Sequence, residues 1–244
     1  LKVKHPLIKL SIFRRRNVSG GSVMNLLMPA AMFGMFFYLS IYLQQILGYS
    51  PTHTGVANLP FTFMIMVVAG LLSKHITKVN PKAVLVVAPL LVAAGLFYFA
   101  RIPVHANYFT DVLPGTLLMA AGMAACFVTI TLMATSGVSH EESGLVSGLL
   151  NTGQQIGGAI GLAVLTVIST AATKSELAVA GNNPAAIPEA LVKGFQHGFV
   201  AAAFFAVAAS LVAIFVIKNH KATSKDLAQE AETEAEALPA IPGV

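Results

Sequence analysis

The chain has 244 residues, of which 56% are hydrophobic and only 10% charged, and its net charge is +5. A soluble domain carries about 25% charged residues, so an ordinary water-soluble domain is excluded, and so is a disordered chain, which needs low hydrophobicity and high charge. The single cysteine, Cys126, excludes a disulfide framework and a multi-cysteine metal site. In chain order, residues 1–18 come first as a basic segment holding Lys2, Lys4, Lys9, Arg14, Arg15 and Arg16. It lacks an apolar run and a small-residue cleavage site, so it does not read as a signal peptide. Leu1 stands where a complete chain begins with Met, which gives the expectation of a fragment.

A membrane helix needs about 20 mostly apolar residues. Six segments within 19–217 meet that need: 22–47, 55–73, 83–100, 109–136, 144–171 and 196–217. In hydrocarbon each must be helical, because a helix satisfies its own backbone hydrogen bonds. The alternating stretches of about ten residues that mark barrel strands are absent. The expected fold is therefore an all-α polytopic membrane protein with six transmembrane helices in one bundle.

The first span places Tyr38, Tyr42 and Gln45 on one face at helical spacing, with Met35 one turn earlier. Phe33, Phe37, Ser40 and Gln44 form the neighbouring face. Aromatic, methionine and amide groups together suit a path for flat, apolar ligands, cations included. An interfacial aromatic belt explains the same residues without a ligand. After the second span comes a basic loop with Lys74, Lys78 and Lys82.

Asp111, near the start of the fourth span, reads as the one carboxylate inside a span, and it is the candidate for binding a proton or cation. The plainer alternative is a helix N-terminal aspartate complementing the dipole. In the fifth span Gly144 and Gly148 are four apart, as are Gly153 and Gly157, then Gly157 and Gly161, with Gly158 beside them. That spacing lets another helix backbone approach closely, either for fixed packing or as a sliding, gating contact. Asn151 and Gln155 join the candidate substrate path, because at least one of Gln154 and Gln155 must face protein or water. The connection 172–195 is the longest expected loop. Residues 218–244 read as a solvated, disordered tail with Lys218, Lys221 and Lys225.

Six spans put both termini on one side. The N-terminal segment, the 74–82 loop and the tail together hold twelve basic residues, against Arg101, Lys174 and Lys193 on the other side. The positive-inside rule then places both termini in the cytoplasm of a cell (plasma) membrane protein. No phosphate loop and no zinc- or serine-hydrolase pattern is present. The chain is read as a non-enzyme that needs no metal and no cofactor and meets no nucleic acid.

The run Phe33-Gly34-Met35-Phe36-Phe37-Tyr38-Leu39-Ser40-Ile41-Tyr42-Leu43-Gln44-Gln45-Ile46-Leu47-Gly48-Tyr49-Ser50-Pro51, with Gly55, Leu59 and Pro60, resembles the fourteen-span drug:proton antiporters of the major facilitator superfamily, the EmrB/QacA type. So do Asp111-Val112-Leu113-Pro114-Gly115 and the stretch from Ser143 through Asn151, Gln155 and Gly161 to Val164. The resemblance covers His5 to about Ile217. It implies that this is the C-terminal six-helix bundle, whose partner is an N-terminal bundle of the same transporter, with a substrate path between the two. It also implies proton-driven export of hydrophobic or cationic compounds. The family's basic loop pattern, Gly-x-x-x-Asp-Arg-x-Gly-x-Arg, falls on Ser73 to Lys82, but Thr77, Lys78 and Asn80 replace its Asp, Arg and second Gly. Only the positive character survives. Where many relatives carry Arg, this chain has Gln154.

The expected function is efflux of small amphipathic or drug-like compounds in exchange for protons, with the lipid bilayer, substrate and protons as partners. The rival readings are a metabolite or nutrient facilitator of the same superfamily, and a half-bundle membrane module that transports nothing.

Overall fold

The computed structural model describes residues 16–75, 79–135, 140–181 and 183–217. These residues are helical and contain no strand. Among them, six segments are long and apolar enough to cross a membrane: Ser19–Ile46, Pro51–His75, Pro81–Phe99, Tyr108–Met133, Ser147–Val179 and Pro184–Phe215. The all-α polytopic fold expected from hydropathy is the fold found.

Helix α1 (Arg16–Ile41) continues into a π-helical turn, Tyr42–Ile46, and stops before Gly48, whose φ of 70° suits a residue without Cβ. A short α2 (Pro51–Ala57) and then α3 (Leu59–His75) form the second span. They break at Asn58 because Pro60 lacks an N–H for the continuing ladder. Helices α4 (Pro81–Phe99) and α5 (Leu113–Thr135) follow, the latter entered through a second π turn, Tyr108–Val112. Then come α6 (His140–Val179), a 3₁₀ turn (Pro184–Ala186) and α7 (Ile187–Phe215).

Three of these starts share one local device. Ser50-Pro51, Asn80-Pro81 and Asn183-Pro184 each place a capping side chain ahead of a proline at the first helical position. The capping oxygen accepts from His53 N at 3.2 Å, Lys82 N at 3.0 Å and Ala185 N at 3.0 Å respectively. The proline has no donor to lose there, and its φ is already helical.

One difference from the expected layout follows from these caps. The stretch 172–195, expected as the longest loop, is mostly helix. Helix α6 runs to Val179 and the last span begins at Pro184, so only a few residues connect them. Glu176 and Glu189 consequently sit on helices too, both exposed near the helix ends, and Asp111 is not alone.

Helices α1 and α5 carry much of the core. Met24, Met28, Met35, Tyr42, Met119 and Met123 are fully buried there, joined by Leu96 and Phe99 of α4 and Phe199 of α7. Helix α7 offers an alanine face, Ala202, Ala203, Ala206, Ala209 and Ala213, which lets neighbouring backbones come close. Helix α6 packs on α1 and α7, and α3 packs chiefly on α5. The second span, α2 with α3, is the least buried, with Val56, Leu59, Phe63, Met66 and Leu71 exposed along it.

The two ends of the bundle are tied differently. At one end the start of α1 meets the end of α7: a Cβ at Gly20 would lie 3.0 Å from Ile217 Cγ1. Lys82 Nζ, at the start of α4, donates to the Ile214 carbonyl near the end of α7 at 3.0 Å. A cation at a helix C-terminus meets unpaired carbonyls and the negative dipole end. At the opposite end, side chains hold carbonyls of a loop and of a helix end. Tyr42 Oη donates to Pro103 O at 2.6 Å, Gln196 Nε2 to Ile102 O at 2.8 Å, and Tyr108 Oη to Ala57 O at 2.5 Å.

Candidate functional site

A groove of about 420 Å³ lies on the outside of α1. Met32, Phe33, Phe36, Phe37, Ser40 and Ile41 line it, with Leu162 of α6 on the far wall. Four of these six α1 residues, 33, 36, 37 and 40, are spaced at three and four, so one helical stripe builds it. The Phe36 ring is held edge-on by Phe61 of α3, with centroids 4.9 Å apart. Phe37 is 41% exposed. Ser40 is the polar side chain in an otherwise apolar lining.

This stripe is the neighbouring face of the one the sequence favoured. Tyr38 and Tyr42 are 2% and 0% exposed and point into the bundle. Tyr38 packs on Phe195 and Phe199 of α7, with centroids 5.7 and 5.8 Å away. Tyr42 reaches the Pro103 carbonyl. Gln45, seven residues after Tyr38 and three after Tyr42, is exposed instead. The π turn inserts an extra residue into the turn that follows Ile41 and rotates the later positions out of phase. Tyr38 and Tyr42 therefore share one environment, and Gln45 lies apart from them.

Asp111 is half-buried beside Tyr98, Arg101 and Ile102 around a smaller cavity of about 170 Å³. Its Oδ2 accepts from Asn107 N at 2.7 Å, while Asn107 Oδ1 accepts from Phe109 N at 2.9 Å. The pair forms a reciprocal cap on the helix start. The partner falls four residues on instead of three because the first turn is π-wide.

The fifth-span glycines divide into two groups. A Cβ at Gly157 would overlap the Leu26 backbone, and one at Gly161 would overlap Ala30. One at Gly153 would lie 2.8 Å from Asn25 Nδ2, and one at Gly158 2.8 Å from the Phe33 ring. These four are where α1 and α6 touch. Gly144 and Gly148 meet nothing within 4 Å. Asn151 and Gln155 are exposed, as those two glycines are, so this part of α6 is small, polar and uncovered. Gln154 is half-buried. Lys74 is exposed in the last turn of α3, Lys82 holds the end of α7, and Lys78 lies outside the described residues. So do the basic residues before Arg16 and after Ile217.

Sequence reasoning passed over Asn25, which is 2% exposed and donates from Nδ2 to Leu150 O at 2.7 Å across the α1–α6 contact. An amide within an apolar run was the available signal. It also passed over Gly194 and Gly198, four apart on α7, which make room for Ser169 and the Tyr38 ring. Among the described residues no group of three or more His, Cys, Asp or Glu side chains could hold a metal ion.

Comparison with known proteins bears on the whole bundle. The Major Facilitator Superfamily profile matches residues 2–162. The puromycin resistance protein pur8 of Streptomyces alboniger is 36% identical over 215 residues, covering 86% of this chain and 42% of that protein. The tetracenomycin C resistance and export protein of Streptomyces glaucescens is 33% identical over 167 residues, 68% of this chain and 31% of that protein. The cephamycin export protein CmcT of Amycolatopsis lactamdurans is 28% identical over 212 residues, 85% of this chain and 40% of that protein. The chain thus spans less than half the length of these relatives. Most of the bundle lies within the profile match, and the likeness to pur8 covers nearly all of it: the chain is an integral membrane protein of the major facilitator superfamily.

Proposed function

We propose that this chain is the C-terminal six-helix part of a proton-coupled exporter of small amphipathic organic compounds, of the fourteen-span drug:proton antiporter type. The aromatic groove on α1 carries the reading. Its size suits a ligand of drug-like dimensions, and its lining of phenylalanine, methionine and isoleucine suits a flat apolar body. The relatives named for antibiotic resistance and export support the same substrate class.

The partner is an N-terminal bundle of the same transporter, set against the uncovered faces of α3 and α6. Exposed amides at Asn151 and Gln155 are costly in hydrocarbon, so that face belongs against protein or a water-filled path. Both termini are placed in the cytoplasm and the protein in the plasma membrane, on the count of basic residues. Asp111 is the proposed proton or cation site within this chain.

Efflux of ethidium and of puromycin from vesicles containing the native protein tests the reading. Export should follow an imposed pH gradient and stop when the gradient is collapsed. Phe37→Ala should weaken export of these aromatic probes about tenfold, the loss expected for one stacking side chain. Efflux indifferent to the pH gradient would remove the proton coupling. Competition by metabolites in place of aromatic probes would favour a facilitator.

A further inference from the structure

The smaller cavity beside Asp111 is walled by two elements at the end of the bundle away from Lys82. Tyr98, Arg101 and Ile102 come from the end of α4, and Asp111 comes from the π turn that opens α5. These walls are held in place. Tyr98 Oη donates to the Thr110 carbonyl and ties α4 to the π turn. Ile102 is buried, its N–H donates to Phe99 O at 3.1 Å, and its carbonyl accepts from Gln196 Nε2. Asp111 is fixed through Oδ2, which accepts from Asn107 N.

Arg101 and Asp111 thus line one cavity with opposite charges. Among the described residues the Arg101 guanidinium has no ion pair or hydrogen bond, with Asp111 or any other, and Asp111 Oδ1 has no partner either. At about 170 Å³ the cavity is smaller than the ~300–1,000 Å³ of a drug-sized ligand's pocket, so it suits a small ionic group. A bare anion would meet the carboxylate, and a bare cation the guanidinium. A group carrying both charges satisfies both walls. The surroundings say where such a group comes from. Val87, Leu90, Ala94 and Phe97 are exposed on α4 at helical spacing, and Arg101 continues the count. Beside them on α7, Phe204 is exposed and meets Phe97 edge-on, with centroids 6.2 Å apart. This face is apolar throughout and meets acyl chains in a bilayer. A tyrosine and a cation at its end sit at headgroup depth.

We propose that this cavity binds the headgroup of a phospholipid bearing a primary ammonium, of the phosphatidylethanolamine class, with its phosphate on Arg101 and its ammonium on Asp111. A guanidinium offers paired N–H donors to phosphate oxygens. Asp111 Oδ1 needs a donor, which a primary ammonium has and a quaternary one lacks. The acyl chains then lie along the exposed stripe of α4. The proposal rests on the reading of Asp111 as a cation site and names the cation: it belongs to a lipid that stays bound.

The test is native mass spectrometry of the native protein in detergent, titrated with dioleoyl phosphatidylethanolamine or dioleoyl phosphatidylcholine. The first lipid should bind about tenfold more tightly when it carries the primary ammonium, the gain expected for one hydrogen bond to a charged group. Asp111→Asn keeps the Asn107 cap and should erase most of that preference. Arg101→Gln should weaken both lipids about tenfold, since both carry the phosphate. Lys193→Gln, an exposed cation elsewhere on the same side, should change neither. Free phosphoethanolamine should not displace the lipid, because it lacks the chains that lie on α4. Equal affinity for the two lipids overturns the proposal, as does a preference that survives Asp111→Asn. So does an equal loss with Lys193→Gln and Arg101→Gln, which would mean general attraction to the surface. Displacement by free phosphoethanolamine would make the occupant a soluble zwitterion and overturns the lipid. If Arg101 and Asp111 serve only each other through water, neither substitution moves lipid affinity, and the proposal fails. Binding is read without transport, so the efflux assay judges the transporter reading separately.

Discussion

At the scale of single residues, the tyrosines are more structural than their types suggested. Tyr42 is fully buried and donates to Pro103 O. Tyr42→Phe leaves a carbonyl short of one donor and keeps the ring. It should cost about 1 kcal/mol, read as a lower melting temperature in detergent. Asp111 presents two tasks that substitution separates. Asp111→Asn keeps an oxygen for Asn107 N–H but removes the charge, so folding should hold while efflux driven by the pH gradient falls. Asp111→Ala loses the cap as well, and should cost about 0.5–2 kcal/mol of stability. Equal stability of the two variants would show that the cap contributes little. The sequence brought both residues to notice by chemical type. It could not say that Gln45 would part from Tyr38 and Tyr42, because that depends on a π turn whose phase shift no local pattern announces.

At the scale of elements, the fifth span shows what spacing can and cannot determine. Six glycines, three pairs of them four apart, announced a close helix contact, and the four of them from Gly153 to Gly161 lie at one, against α1. The other two, Gly144 and Gly148, face open space. Periodicity names the face of a helix and not its occupant, which is set by the other helices. Gly161→Val should overlap Ala30 and cost about 1–3 kcal/mol through overpacking. Gly148→Ala has room and replaces a poor helix former, so the chain's own packing should tolerate it. If Gly148→Leu lowers the stability of the native protein, something outside this chain covers that face. The connection after α6 teaches the converse. Asn183 and Pro184 read as an irregular loop, but they form a cap and a first helical position, which start a helix.

At the scale of the whole molecule, the ends of the bundle sort by chemistry. Lysine meets carbonyls at the end where α4 starts and α7 stops, and tyrosine and glutamine meet loop carbonyls at the other. If the termini are cytoplasmic, as proposed, a cysteine at Lys74 should be labelled by an impermeant maleimide only from the cytoplasmic side. One at Val179, which is 84% exposed, should be labelled only from outside. The reverse pattern would invert the topology. The sequence alone determined that the chain is an all-α polytopic membrane protein, because hydrocarbon forces every spanning segment into helix and leaves a long apolar run as its mark. Only the tertiary structure decided that the α1 groove belongs to Phe33, Phe36 and Phe37 while Tyr38 and Tyr42 face the core. The facing of a helix is fixed by its neighbours' shapes, and inside an apolar bundle hydropathy is nearly the same on every side.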